Sequence, residues 1–109
     1  MALEILRKIG LSDGEIKVYS ALLDLGPASV NSVHERTGIE RRNIYDILNK
    51  LIERGLVSYM TENKRRTFQA SHPSKIINYI EERKSELDNV KKDIETDISP
   101  LIKIFQKTM

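Results

Sequence analysis

Apolar residues recur along this chain at intervals of three and four, interrupted by glycine and proline. In one short interval the period changes to that of strands. Leu3, Ile5, Leu6 and Ile9 are at helical spacing and Gly10 stops the run. Ser12, with Glu15 three residues on, is a capping box opening a second helix. Ile16, Tyr19, Leu22 and Leu23 are its predicted inward side, and Gly26-Pro27 ends it. Ser29 caps a short third helix with Val30 and Val33 turned inward, closed by Thr37-Gly38, where glycine suits a turn of positive φ. Arg41 to Arg54 carries Ile44, Ile47, Leu48, Leu51 and Ile52, a broad stripe for burial that ends at Gly55.

Leu56–Met60 and Thr67–Ala70 are rich in β-branched and aromatic residues and predict a hairpin, with Glu62 to Arg66 at its tip and Asn63 a turn residue. Pro73 suits a first helical position. From Ser74 the chain is predicted helical for roughly 35 residues, about 50 Å at 1.5 Å per residue. The expected class is mainly α with a small β-hairpin: a winged helix-turn-helix over residues 1–72 and a C-terminal helical dimerisation segment over 73–109.

Net charge sharpens this picture by its position rather than its size. The chain of 109 residues has a formal charge of +2. Residues 34–66 hold eight Lys/Arg against five Asp/Glu, whereas the preceding part has three against four and the following part seven against seven. The surplus therefore belongs to the helix-turn-helix and hairpin, a pattern suited to gripping double-stranded DNA.

On the Arg41–Arg54 helix, projection at about 100° per residue sets Arg42, Asp46, Asn49 and Glu53 opposite the apolar stripe, flanked by Asn43, Lys50 and Tyr45. Arg and Asn match the paired hydrogen-bonding groups of guanine and adenine edges, so Arg42 and Asn43 are candidate base readers, with Asn49 a third. Arg41 is placed for a phosphate, as are Ser29, Asn31 and Ser32 at the start of the preceding helix. Lys64, Arg65 and Arg66 are expected together on the hairpin tip as a wing that holds backbone phosphate. Two blander readings stand beside these: Arg42 and Asp46, four apart, pair with each other, and the cationic loop only blunts a sheet edge.

The run from Ile9 through Val57, with its Ile44-Tyr45-Asp46-Ile47-Leu48 segment and the Gly55-Leu56-Val57 approach to the wing, resembles the N-terminal DNA-binding domain of the TrmB family of archaeal, sugar-responsive transcriptional regulators. The likeness extends over about Ile9 to Leu87. It implies a winged-helix repressor or activator that binds operator DNA as a dimer. Glu40 stands where the family commonly has Pro, and Arg42 where a small hydroxyl residue is common, so no operator sequence carries over. Larger members continue into a sugar-binding domain after the linking helix, and no small-molecule effector is inferable from these 109 residues.

Ile77, Ile80, Leu87, Val90, Ile94, Ile98, Leu101 and Phe105 form a stripe on the C-terminal helix, interrupted by Arg83 and Lys84. From Leu87 the intervals approach an eleven-residue repeat, so supercoiling is expected to be weak or slightly right-handed. A stripe this long predicts packing against a second copy through Ile80, Leu87, Val90, Ile94, Ile98, Leu101 and Phe105, giving a homodimer that needs a pseudo-palindromic site. Pro100 is expected to kink the helix or to start a final one capped by Ser99.

The chain has no cysteine, and its two histidines, His34 and His72, have no second ligand at metal spacing. No Gly-rich phosphate loop or nucleophile motif occurs, so neither an enzyme nor a cofactor is expected. Without a signal-like or membrane-length apolar run, the expected location is cytoplasmic. The alternative is a winged-helix protein–protein interaction module with weak or no DNA binding, favoured by acidic Asp46 and Glu53 on the outward face.

Overall fold

The computed structural model describes residues 3–109. It divides into two compact units, one ending at Tyr79 and the other spanning Ile80–Met109.

In the first unit a 3₁₀ helix, Leu3–Ile9, precedes α1 (Asp13–Leu25), α2 (Val30–Thr37) and α3 (Arg41–Glu53). The hairpin strands β1 (Val57–Glu62) and β2 (Arg65–Ala70) follow, and then the start of α4 (Ser74–Thr96). The capping box that opens α1 is complete: the Ser12 side chain accepts from the Glu15 amide, and the Glu15 carboxylate accepts from the Ser12 amide. The Ser29 hydroxyl accepts from the Ser32 amide at the start of α2, and Gly38 ends that helix in the left-handed region at φ 74°. An L side chain there would be strained, so this turn between α2 and α3 favours glycine.

Val18, Tyr19 and Leu22 of α1, Val33 of α2, Ile44, Leu48 and Leu51 of α3, and Leu56 form the centre of the core. Burial pushes the Tyr19 phenol pKa upward by desolvation. The α1 side differs from the expected one by one step. Val18 is fully buried while Leu23 is exposed, because α2, α3 and β2 together cover a face centred between Val18 and Leu22. The N-terminal turn of α1 crosses α3 closely: a Cβ at Gly14 would lie 3.1 Å from Ile47 Cδ1.

Sequence reading placed three cations on one tight turn; the hairpin is tighter than that. Its turn is Asn63-Lys64 alone, both with positive φ (49° and 65°), and Glu62 pairs directly with Arg65. Two successive left-handed residues match the right-handed twist of the strands, which is why two-residue hairpins favour this form. Arg65 and Arg66 therefore belong to β2 and, as neighbours on a strand, emerge on opposite faces. Lysine is an unfavoured occupant of its turn position. Lys64→Gly is expected to stabilise the unit by up to about 1 kcal/mol, the left-handed penalty of a residue with a Cβ, reduced by the larger unfolded-state entropy of glycine. Urea unfolding monitored by circular dichroism measures this, and a lower midpoint would contradict it.

A third, one-residue strand was not foreseen. Ala28 and Phe68 exchange both backbone hydrogen bonds at 2.8 Å, tying the α1–α2 connection to β2. One residue offers no alternation to read, so the sequence carries no signal for it. At the hairpin base, the Ser71 amide donates to the Leu56 carbonyl. Ile76 and Tyr79, on the first turns of α4, are half-buried against the core.

In the second unit, α4 runs on to Thr96 and α5 (Ser99–Lys107) follows. The single helix of some 35 residues is thus two, separated at Asp97 and Ile98. Ser99 does not cap α5. Ile98 holds the cap position without a side-chain hydrogen bond, and Pro100 sits in the first turn, where its missing N–H leaves no donor unpaired. No residue of α4 or α5 is buried, and Leu87, Val90, Ile94, Leu101 and Phe105 are each about half exposed or more. Among the described residues, no helix is long and apolar enough to cross a membrane.

Candidate nucleic-acid interface

α3 is buried along one stripe only. Ile44, Leu48 and Leu51 hold it to the core, and Arg41, Arg42, Asn43, Tyr45, Asp46, Asn49, Lys50 and Glu53 are all exposed. Tyr45 lies on the flank toward the hairpin, whereas Asn43 and Lys50 occupy the opposite flank. Arg42 and Asn49, three before and four after Tyr45, fall between them on the outermost face. The i, i+4 pair of Arg42 with Asp46 does not form: among the described residues Arg42 has no ion-pair partner, and neither do Lys64, Arg65 and Arg66.

Beside this face, a groove of about 490 Å³ is lined by Ser29, Val30, Asn31, Tyr45, Lys64, Arg65, Arg66 and Phe68. Six of those eight were singled out from sequence as candidate contacts. The Ala28–Phe68 bridge explains their meeting, because it fixes β2 one residue away from the cap of α2. Two groove residues, Asn31 and Ser29, are held by neighbours outside it. Arg41 donates from its guanidinium to the Asn31 side-chain oxygen, and the Asn31 amide donates to Glu35 at 3.3 Å. The Ser29 and Ser32 hydroxyls are hydrogen-bonded at 3.2 Å.

Arg66 lies 4.6 Å above the Tyr59 ring centroid, and Tyr59 in turn packs against Phe68 with centroids 6.1 Å apart. Tyr59 and Phe68 are paired across the strands and Arg66 precedes Phe68 by two residues, so all three share one face of the hairpin. A cation stacked on an aromatic face is held in place with its N–H edge free to donate. Sequence reading named Arg66 but missed Tyr59, whose part depends on the hairpin register; with the two-residue turn located, alternation along the strands would have found it.

The candidates do not all converge. Arg41, Arg42, Asn43, Asn49 and Lys50 stay outside the groove, on the exposed part of α3, and Ser32 is joined to it only through its hydrogen bond to Ser29. The surface is thus a helix face beside a cationic groove, with two acidic residues, Asp46 and Glu53, on the same helix. Neither of the two histidines lines it. The His34 ring is held by the Ile39 carbonyl at 2.7 Å, and His72 by Ser74 at 2.8 Å.

A three-helix core with its last helix open to solvent beside a cationic, two-stranded wing defines the winged helix-turn-helix class. The family model described as "Sugar-specific transcriptional regulator TrmB" matches residues 6–74, more than half of the chain. The chain belongs to the TrmB family and corresponds to its helix-turn-helix domain. It is 30% identical over 105 residues to the HTH-type sugar sensing transcriptional regulator TrmBL1 of Pyrococcus furiosus. That alignment covers 96% of this chain and 28% of the relative, so the chain spans under a third of the relative's length. In fold it resembles the archaeal chromatin protein TrmBL2 (TM-score 0.75, 16% identity, 98% of this chain and 42% of that one). A MarR family protein from Bacillus stearothermophilus is also similar in fold (TM-score 0.58, 20% identity, 96% and 80% covered).

Proposed function

We propose that this chain is a sequence-specific DNA-binding transcriptional regulator, acting as a homodimer on a pseudo-palindromic operator. The observation that carries the reading is the meeting of Ser29, Asn31, Tyr45, Lys64, Arg65 and Arg66 around one groove beside the open face of α3. In this reading α3 enters the major groove, Arg42, Asn43 and Asn49 contact base edges, and Lys50 and Tyr45 border them. Ser29, Asn31, Ser32 and Arg41 hold phosphate on one side, while Lys64, Arg65 and Arg66 hold it on the other. The positive φ of Lys64 supports a functional demand for a cation there, since glycine would fill that turn with less strain.

The second unit supports the dimer. Its apolar residues, Ile80, Leu87, Val90, Ile94, Ile98, Leu101 and Phe105, are exposed in a single copy, a liability that a second copy removes. A two-fold pair presents two α3 helices to half-sites roughly 34–36 Å apart or a multiple of that. Residues 73–109 then serve as the dimerisation segment and residues 1–72 as the DNA-binding domain. Membership of a sugar-specific family suggests effector control through parts of the relatives that this chain does not cover.

Two variants compared on selected and random duplexes test the base and phosphate roles separately. Arg42→Ala is expected to weaken the selected site by about 1–3 kcal/mol and to relax choice at one base pair. Joint replacement of Lys64, Arg65 and Arg66 by Ala should weaken all duplexes alike, flattening the log–log salt slope by roughly 0.9 for each phosphate no longer neutralised. Fluorescence anisotropy titration at several salt concentrations reads both. Unchanged binding in both variants would favour the protein-docking alternative, to which Asp46 and Glu53 on the open face are suited.

A further inference from the structure

α4 carries more pattern than an apolar stripe. Ile80, Leu87 and Ile94 recur every seven residues, with Val90 three after Leu87, and so share one side of the helix. All four are exposed, from 39% at Ile80 to 56% at Leu87. The residues bordering this side are sorted by charge. Lys84 and Lys91, seven apart, lie along one border, and Glu86 and Asp93, also seven apart, lie along the other.

Such sorting distinguishes the two ways in which a second copy can lie on the stripe. When two identical helices run in the same direction, the acidic border of each meets the basic border of the other. The offset that brings such residues together is five, the separation of Glu86 and Lys91. When they run in opposite directions, like borders meet: Lys84 faces the partner's Lys91, and Glu86 faces the partner's Asp93. Sliding the opposed helices by one heptad exchanges these for equally repulsive contacts, Lys84 with the partner's Lys84 and Glu86 with the partner's Glu86.

We propose that two copies of this chain pair through α4 side by side and in the same direction, with Glu86 of each facing the partner's Lys91. The inference rests on the homodimer reading above and adds its direction and its specificity contacts. Arg83, the charged interruption within the stripe, meets its own twin in this arrangement and is accommodated by its neighbour Glu86. Its guanidinium lies 3.7 Å from Glu86 Oε2, on the acidic border of the stripe. Both copies then enter the pair from the same end, through residue 80.

Charge reversal gives the two directions opposite signs. In the same-direction pair, Lys91→Glu sets a new carboxylate against the partner's Glu86, twice by symmetry. The dimer dissociation constant should rise roughly tenfold at low salt, from a few tenths to 1 kcal/mol for each affected pair. Adding Glu86→Lys to Lys91→Glu should restore it. In an opposed pair, Lys91→Glu would instead relieve the contact with the partner's Lys84 and tighten the dimer. Sedimentation equilibrium on the full chain reads all three proteins, and each substituted side chain is exposed, so folding is spared.

Ile80→Cys is an independent check, since the chain has no cysteine of its own. Same-direction pairing brings the two introduced thiols together and yields a cross-linked dimer on mild oxidation. Opposed pairing through the same stripe leaves them about 25 Å apart, at 1.5 Å per residue, and uncross-linked. Tightening or no change with Lys91→Glu, or a dimer that resists cross-linking at residue 80, would overturn the proposed direction while leaving the dimer intact. A monomeric unsubstituted chain would overturn the dimer reading itself.

Discussion

Replacing Leu87 and Ile94 together by Asp is expected to convert the protein to a monomer by light scattering and to lower affinity for a two-half-site duplex by roughly 10²–10⁴. Both side chains are exposed in a single copy, at 56% and 47%, so the packing of the winged unit is untouched. Pairing would place each in an apolar seam, where a carboxylate is strongly disfavoured unless it is matched by a cation. Binding to an isolated half-site should change little, since α3 and the wing keep their side chains. The contrast between the two duplexes is what the experiment reads: a monomer contributes one α3, whereas a dimer binds its second half-site as an intramolecular event. An unaltered mass in the double variant would remove the α4–α5 stripe as the site of association.

The second large effect lies in the core of the winged unit. Glu15 is 4% exposed, the one charged residue among the buried side chains described. Its carboxylate pairs with the guanidinium of Arg54, just past the end of α3, and also accepts from the Ser12 amide at 3.2 Å. Arg54 in turn lies 5.7 Å above the Tyr79 ring on α4. This cluster joins the start of α1, the end of α3 and the first turns of α4.

Arg54→Ala leaves the Glu15 carboxylate buried without its cation. Removing one partner of a buried pair costs about 3–5 kcal/mol, and the partial exposure of Arg54 sets the expectation near the lower end. Loss of the cation–π contact adds roughly 0.5–1 kcal/mol. Against a typical domain stability of about 5–15 kcal/mol, this should shift the urea midpoint markedly. Replacing both partners, Glu15→Leu with Arg54→Met, should be far milder, because no buried charge is then unpaired. A single Arg54→Ala variant as stable as the parent would show that water reaches Glu15 and that the pair contributes little.

Most of the winged unit was legible as local signals. Ser12 with Glu15, Ser29 and Gly38 set helix ends within a few residues of themselves, and Ile44, Leu48 and Leu51 repeat at a period that only a helix places on one face. The expected family membership followed from the same stretch and agrees with the match over residues 6–74. Leu23 and the hairpin tip were misplaced for one shared reason: which flank of α1 is covered, and which residues form a two-residue turn, depend on partners distant along the chain.

Capping side chains, apolar period and the clustering of positive charge are properties of neighbouring residues, so the amino-acid order by itself determined the helices, the existence of a wing and the open face of α3. Tertiary structure alone decided what those elements meet. The one-residue bridge of Ala28 to Phe68 carries β2 to the cap of α2, and the strand register sets Arg66 on Tyr59. Chain folding also brings Arg54 to Glu15 across 39 residues of separation. Each of these joins groups whose spacing along the chain has no period, and only strand register and the packing of the helices and hairpin on one another bring them into contact.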